Sequence, residues 1–279
     1  MPEHGIYTLF IRSYSHSTRK GRLAMKAIFY FFSALSPVIT ALSPFVYAAK
    51  NTDNKFIIEA YGGSSTQGAM AVRENGKVHP IFIKNNEIGL INQFIKDKYG
   101  DGIQVVNKGA SSSQAMDLLN GKYFYKNNKS WREEMKKSPA RIILLNFATN
   151  DARHFHYQDI EPDYRVSPDQ YIKVMAQLVN IARAAGKEVI LQEPHPICGG
   201  AARWNIGPYV TQLDKLARAE SVPLSRQYQR ILNMNNWQSL LSPDCVHPSE
   251  QLYRIKAEET FSVLVAHYGA QLAAAGTHR

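Results

Sequence analysis

Beyond residue 50 the chain alternates short apolar or β-branched runs with longer stretches whose apolar residues recur at helical spacing. The short runs suit strands and the longer ones amphipathic helices. The strands predicted in this way are Lys55–Tyr61, Ile103–Asn107, Arg141–Phe147 and Glu188–Gln192, with a weaker fifth at Val222–Leu224. The predicted helices are Asn85–Tyr99, Ser112–Leu119, Pro168–Ala185, Ile206–Glu220 and a last one from Pro248 to about Ala273. The last is the clearest, because Leu252, Ile255, Phe261, Leu264, Val265, Tyr268 and Leu272 keep close to one face, and Pro248 suits its first turn. Strand and helix in alternation predict an α/β sheet, and right-handed crossovers then bring the carboxyl ends of the strands to a single edge. Chemistry is expected on that edge.

The first segment follows a different pattern. Arg19, Lys20, Arg22 and Lys26 precede an almost unbroken apolar run from Ala27 to Ala49. A basic flank before such a run reads as an export signal over residues 1–48, with Val46 and Ala48 placed for cleavage after Ala48. The competing reading is an uncleaved membrane anchor, weakened by Pro37 and Pro44 within the run. Both place residues 49–279, read as one domain, outside the cytoplasm, either periplasmic or secreted, with membrane contact only through the signal or anchor.

Composition adds little beyond this. With 44% hydrophobic and 20% charged residues, the chain has ample material for one globular domain. The net charge is +10, of which the first 49 residues hold five Lys/Arg and one Glu, so the remainder carries +6. That surplus is scattered among acidic residues without a dense basic tract, so no nucleic-acid partner is expected. Cys198 and Cys245 are the two cysteines, and an oxidising compartment permits a disulfide between them, against the alternative of two separate thiols.

Candidate chemistry begins where the first strand ends, at Tyr61-Gly62-Gly63-Ser64-Ser65-Thr66-Gln67-Gly68. Glycines allow a tight strand-to-helix turn that lifts the Ser64 hydroxyl to a helix N-terminus. A phosphate-binding loop would need Lys after Gly68, where Ala69 stands, and the G-x-S-x-G elbow fails at Thr66. Three further segments bear on Ser64: Asn107-Lys108-Gly109-Ala110-Ser111-Ser112, Ala148-Thr149-Asn150-Asp151 and Asp244-Cys245-Val246-His247. In this order, and each after its expected element, the four segments resemble the sequence blocks of the SGNH (GDSL-like) hydrolases.

The resemblance implies a flavodoxin-like three-layer α/β/α sandwich around a mainly parallel sheet of about five strands. It also implies a carboxylic-ester hydrolase without cofactor or metal. Ser64 would be the nucleophile, His247 the base and Asp244 its orienting acid, while the N–H groups of Ser64 and Gly109 and the side-chain amide of Asn150 would form the oxyanion hole. Small acyl esters, O-acetylated glycans or lipid esters are the implied substrates. An O-acetyltransferase on the same scaffold and a catalytically silent glycan-binding module are the alternatives. The chain departs from the family pattern at Gly63, where Asp is usual, and at Ala148 and Ser112, where glycine is usual.

A second Asp-x-x-His occurs at Asp151-Ala152-Arg153-His154, so this spacing alone does not identify the pair. The later pair stands before the final helix and gives the order Ser, Asp, His. His154 and His156 are therefore expected as loop residues near the cleft, and His195, in Glu193-Pro194-His195-Pro196, as a residue shaping the loop after the fourth strand. His154-x-His156 lacks the partners a metal site needs. Tyr123, Tyr125 and Trp131 are expected to pack.

Overall fold

The computed structural model describes residues 55–276 apart from 123–124 and 126–128. The expected signal or anchor over residues 1–48 and Tyr123 lie outside the described residues. In chain order the elements are β1 (Phe56–Gly62), α1 (Ser64–Gln67), β2 (Ala69–Glu74), β3 (Lys77–Phe82), α2 (Glu87–Tyr99), β4 (Ile103–Asn107), α3 (Ala115–Asn120), α4 (Trp131–Lys137) and β5 (Ile142–Asn146). There follow α5 (Thr149–Tyr157), α6 (Pro168–Ala184), β6 (Glu188–Gln192), α7 (Gly207–Ala219), β7 (Leu224–Ser225), α8 (Tyr228–Leu232) and α9 (Glu250–Gly276).

Five strands form one sheet in the order β4-β1-β5-β6-β7, every pair parallel. Numbered by their appearance in the sheet, this is 2-1-3-4-5, the flavodoxin-like order. Successive side chains along the strands point to opposite layers. Tyr61, Ile143, Leu145, Val189 and Leu191 pack with residues of α3, α4, α6 and α7, while Ile58, Ala60, Ile142, Leu144 and Ile190 pack with those of α2 and α9. The expected three-layer sandwich is thus present, and both faces of the sheet are covered, which is why the inner strands β5 and β6 read as nearly continuous apolar runs.

Local signals explain where the helices begin. Asn86 caps α2 by accepting from the N–H groups of Ile88 and Gly89, and Ser167 with Gln170 caps α6 ahead of Pro168. The last helix starts two residues later than expected. Pro248 lies outside it, bridged to Leu241, and the Ser249 side chain accepts from Leu252 N at 3.3 Å at its start.

An antiparallel hairpin, β2 with β3, was not expected. It turns on Asn75-Gly76, both at positive φ (50° and 74°), the pairing that favours a two-residue hairpin. The hairpin bears on the site through Ala71 N, which donates to Ser242 Oγ at 3.1 Å. Trp131 is fully buried, with its indole N–H donating to Leu178 O, and Tyr125 is buried as well, so both pack as expected. No helix among the described residues is long and apolar enough to cross a membrane.

Candidate active site

Strand register decides what meets on the carboxyl edge. Gly62 lies opposite Asn146 and Ala60 opposite Asn107, so the segments beginning at residues 63 and 147 leave the sheet at one level and the one beginning at 108 leaves the same edge two residues lower. The point between β1 and β5 is also where strand order reverses, which opens a crevice above the sheet. A shallow cleft, partly open to solvent, lies there, with Gly63, Ser64, Ser113, Asn146, Phe147 and Asn150 in its wall.

Into this edge the segment between α8 and α9 brings the last two predicted residues. Ser64 Oγ lies 2.9 Å from His247 Nε2, and His247 Nδ1 lies 2.5 Å from Asp244 Oδ2. With Nδ1–H donating to the carboxylate, Nε2 keeps the lone pair that accepts the serine hydroxyl. The other carboxylate oxygen of Asp244 accepts from the N–H groups of Val246 and His247, both at 3.0 Å. Burial alone would push the Asp244 carboxyl up, but the hydrogen bonds from the His247 ring and from these two N–H groups outweigh it and hold the carboxyl down at about 2.

The loop itself is held from three sides. Cys198 and Cys245 form a disulfide with Cα atoms 4.9 Å apart, and Cys198 N donates to Cys245 O. Ser242 Oγ lies 2.9 Å from His247 O. His195 Nε2 lies 2.7 Å from Val246 O. The three predicted amide donors differ in their present partners. Ser64 stands at the first position of α1 and lines the cleft, as does Asn150, whose amide spends one hydrogen on Ser113 O at 2.8 Å. Gly109 N instead donates to Asn107 Oδ1 at 2.9 Å.

A hydroxyl within hydrogen-bond distance of an imidazole, beside amide donors at a switch point, is an arrangement suited to acyl transfer. Residues 44–260 match the family described as GDSL-like Lipase/Acylhydrolase. The chain belongs to that family. It is accordingly a carboxylic-ester hydrolase of the SGNH type.

Solved structures of similar fold accord with this. An acetylxylan esterase from Geobacillus stearothermophilus is 18% identical with a TM-score of 0.58, over 75% of this chain and 94% of that one. An alpha/beta hydrolase enzyme from the metagenome of Lake Arreo is 20% identical with a TM-score of 0.57, over the same shares of 75% and 94%. The aryl esterase of M. smegmatis is 14% identical with a TM-score of 0.54, over 76% and 99%. No curated protein sequence matches the chain.

The departures from the family pattern acquire physical reasons in the structure. Ala148 (φ 109°) and Ser112 (φ 63°), which stand where the family usually has glycine, both keep positive φ, the backbone that glycine adopts without strain. Gly63 departs in the opposite direction. A Cβ there would sit 2.7 Å from Asn150 Nδ2, so the missing side chain gives the Asn150 amide its place. The turn that an Asp would otherwise help to fix is held through Gly62, whose carbonyl accepts from Ala110 N, Tyr125 OH and Ser113 Oγ, while its N–H donates to Tyr125 OH. Gly109 is needed for a different reason: a Cβ would meet Gln67 N at 2.3 Å, so two backbones pass in contact there.

The second Asp-x-x-His takes no part in the hydrogen-bonded chain from Ser64 to Asp244. Its residues lie on helix α5 and not in a loop, which corrects the expectation for His154 and His156. Asp151 accepts from Ala148 N and Ala115 N, and His154 meets Asp159 at 2.8 Å and Ser112 O at 3.3 Å. Tyr125, expected only to pack, also braces the turn before Ser64 through its hydrogen bonds to Gly62. A tyrosine beyond a helix carries no sequence signal for that role.

Proposed function

We propose that the protein is an exported serine esterase that cleaves small acyl groups, such as acetyl on glycans, or lipid esters, through an acyl-enzyme on Ser64. One observation carries the reading: Ser64, His247 and Asp244 form a hydrogen-bonded chain, 2.9 Å and 2.5 Å long in its two links, beside a cleft with amide donors in its wall. Ser64 Oγ attacks the ester carbonyl as its proton passes to His247 Nε2, and Asp244 stabilises the imidazolium that forms. The oxyanion is met by Ser64 N–H and by the second hydrogen of the Asn150 amide, with Gly109 N–H joining when it leaves Asn107. His247 returns its proton to the leaving alkoxide as the C–O bond breaks. A water molecule then gives a proton to His247 and attacks the acyl-enzyme, releasing the acid and restoring Ser64.

Export is supported by the disulfide, a bond that persists in oxidising compartments, and by the apolar run that precedes residue 50. The test is labelling of the purified protein by a fluorophosphonate together with hydrolysis of p-nitrophenyl acetate. Both are expected for the native chain and lost in Ser64→Ala. Labelling that survives Ser64→Ala would refute the assignment.

A further inference from the structure

The carbonyl of Val246 lies between Asp244 and His247 in the chain, and its partner comes from a different element. His195, almost fully buried in the loop after β6, places Nε2 2.7 Å from it. On the other side of the ring, Lys256 Nζ of α9 lies 3.5 Å from His195 Nδ1 and 3.1 Å from Glu87 Oε2 of α2. Lys256 and Glu87 are themselves fully buried. Glu87 Oε1 accepts from the amides of Gln192 (2.6 Å) and Gln227 (2.9 Å) and from the hydroxyl of Thr260 (2.9 Å).

An ammonium group donates and never accepts, so the ring nitrogen facing Lys256 must carry the lone pair and the opposite one the hydrogen. A buried ion pair of this kind contributes little net stability, since desolvation offsets most of the attraction. Its effect here is directional: it selects one tautomer of His195. Burial, and then the neighbouring Lys256 charge, push the imidazole down to about 3, so the ring stays neutral at working pH. Together with Asp244 Oδ1 on Val246 N–H, both backbone groups of the residue before His247 are then occupied.

Resting on the reading of Ser64, Asp244 and His247 as the relay, we propose that His195 is a positioning residue. As the Nε2–H tautomer set by Lys256 and Glu87, it holds the Val246 carbonyl and thereby fixes where His247 meets the serine. A misplacement near 1 Å lowers rate by up to about a hundredfold, so His195→Leu should lower kcat by roughly 10- to 100-fold with KM within about two-fold. His195→Gln, whose amide N–H₂ can reach the same carbonyl, should stay within about three-fold. A residue that only filled space would not show this rescue.

Two measurements test the proposal. Nitrogen-correlated NMR of the native histidine side chains should show His195 as the Nε2–H tautomer from pH 5 to 8; an Nδ1–H tautomer or an imidazolium would overturn it, and this decides the matter even if His195→Leu fails to fold. The rate of fluorophosphonate labelling of Ser64 should fall in His195→Leu as kcat does and recover in His195→Gln. Native-rate labelling of His195→Leu overturns this inference alone, whereas a native protein that is not labelled at all overturns the relay and the inference with it.

Discussion

Two stretches of the chain share the spacing Asp-x-x-His and differ in everything that matters for chemistry. Asp151 and His154 sit on helix α5, almost fully buried at 0% and 6% exposure, whereas the side chains of Asp244 and His247 keep 24% and 17%. On the helix the carboxylate folds back to cap Ala148 N, leaving the histidine to Asp159. In the loop, Cys245 at φ 59° turns the chain so that Asp244 can accept two backbone N–H groups with one oxygen and hold the imidazole with the other. Electrostatics follow the geometry: Asp151 is pushed up to about 6 by burial despite its backbone hydrogen bonds, while Asp244 is held at about 2. The spacing is cheap, and the backbone around it decides whether an acid orients a base or caps a helix.

The sharpest way to break this comparison is to delete each histidine. His247→Ala should lower kcat/KM for p-nitrophenyl acetate by roughly four to six orders of magnitude, as loss of a relay member does, and His154→Ala by less than about ten-fold. Equal losses would refute the distinction. Next in size is the covalent tie that only the second segment has. Replacing Cys198 and Cys245 by serine should cost about 4 kcal/mol in denaturant unfolding, the loop-entropy value for a closure of 47 residues.

The two acids should also respond to pH in opposite senses. Asp244, lowered below its ordinary 3.8, contributes stability that is present above about pH 4 and lost as pH falls through about 2. Asp151 and its buried neighbour Asp117 are raised to about 6 and about 7, chiefly by burial. Their protonated forms suit the fold, so they cost nothing below about pH 4 and destabilise increasingly as pH rises through 6 to 7. Thermal unfolding of Asp117→Asn should therefore fall less between pH 5 and 8 than that of the native protein. An unchanged slope would remove Asp117 as its source.

The smallest effect concerns the strained residue beside the first pair. Ala148→Gly should raise stability by roughly 1 kcal/mol, because relief of a positive-φ alanine, about 1–3 kcal/mol, outweighs one buried methyl at about 0.8. A melting temperature that drops in this variant would show that packing of the methyl dominates.

Much of the fold was legible because it is local. The runs at Ile103–Asn107 and Glu188–Gln192 are recovered residue for residue, the second because a strand buried on both faces is nearly all apolar, the first because Ile103 and Val105 alternate with more exposed neighbours at the sheet edge. The hairpin at residues 69–82 was also within reach, for Asn75-Gly76 is a strong turn signal. Pro80 masks that signal, since proline is disfavoured within strands, and Val78 and Phe82 remain exposed in the structure. Helix α5 was missed for another reason: its sequence is dominated by histidines and polar residues, and its start at Ala148 lacks a capping side chain of its own.

What the chain's order of residues determined by itself was the alternation of elements, and therefore the parallel sheet, together with the chemical kinds available at its edge. Those properties depend on period and on near neighbours, which a linear sequence displays. Only the tertiary structure decided which Asp-x-x-His faces Ser64 and that His195 reaches the carbonyl of Val246. Each of these is a distance between groups carried by different elements, and such distances are set by strand register and layer packing, which no single segment encodes.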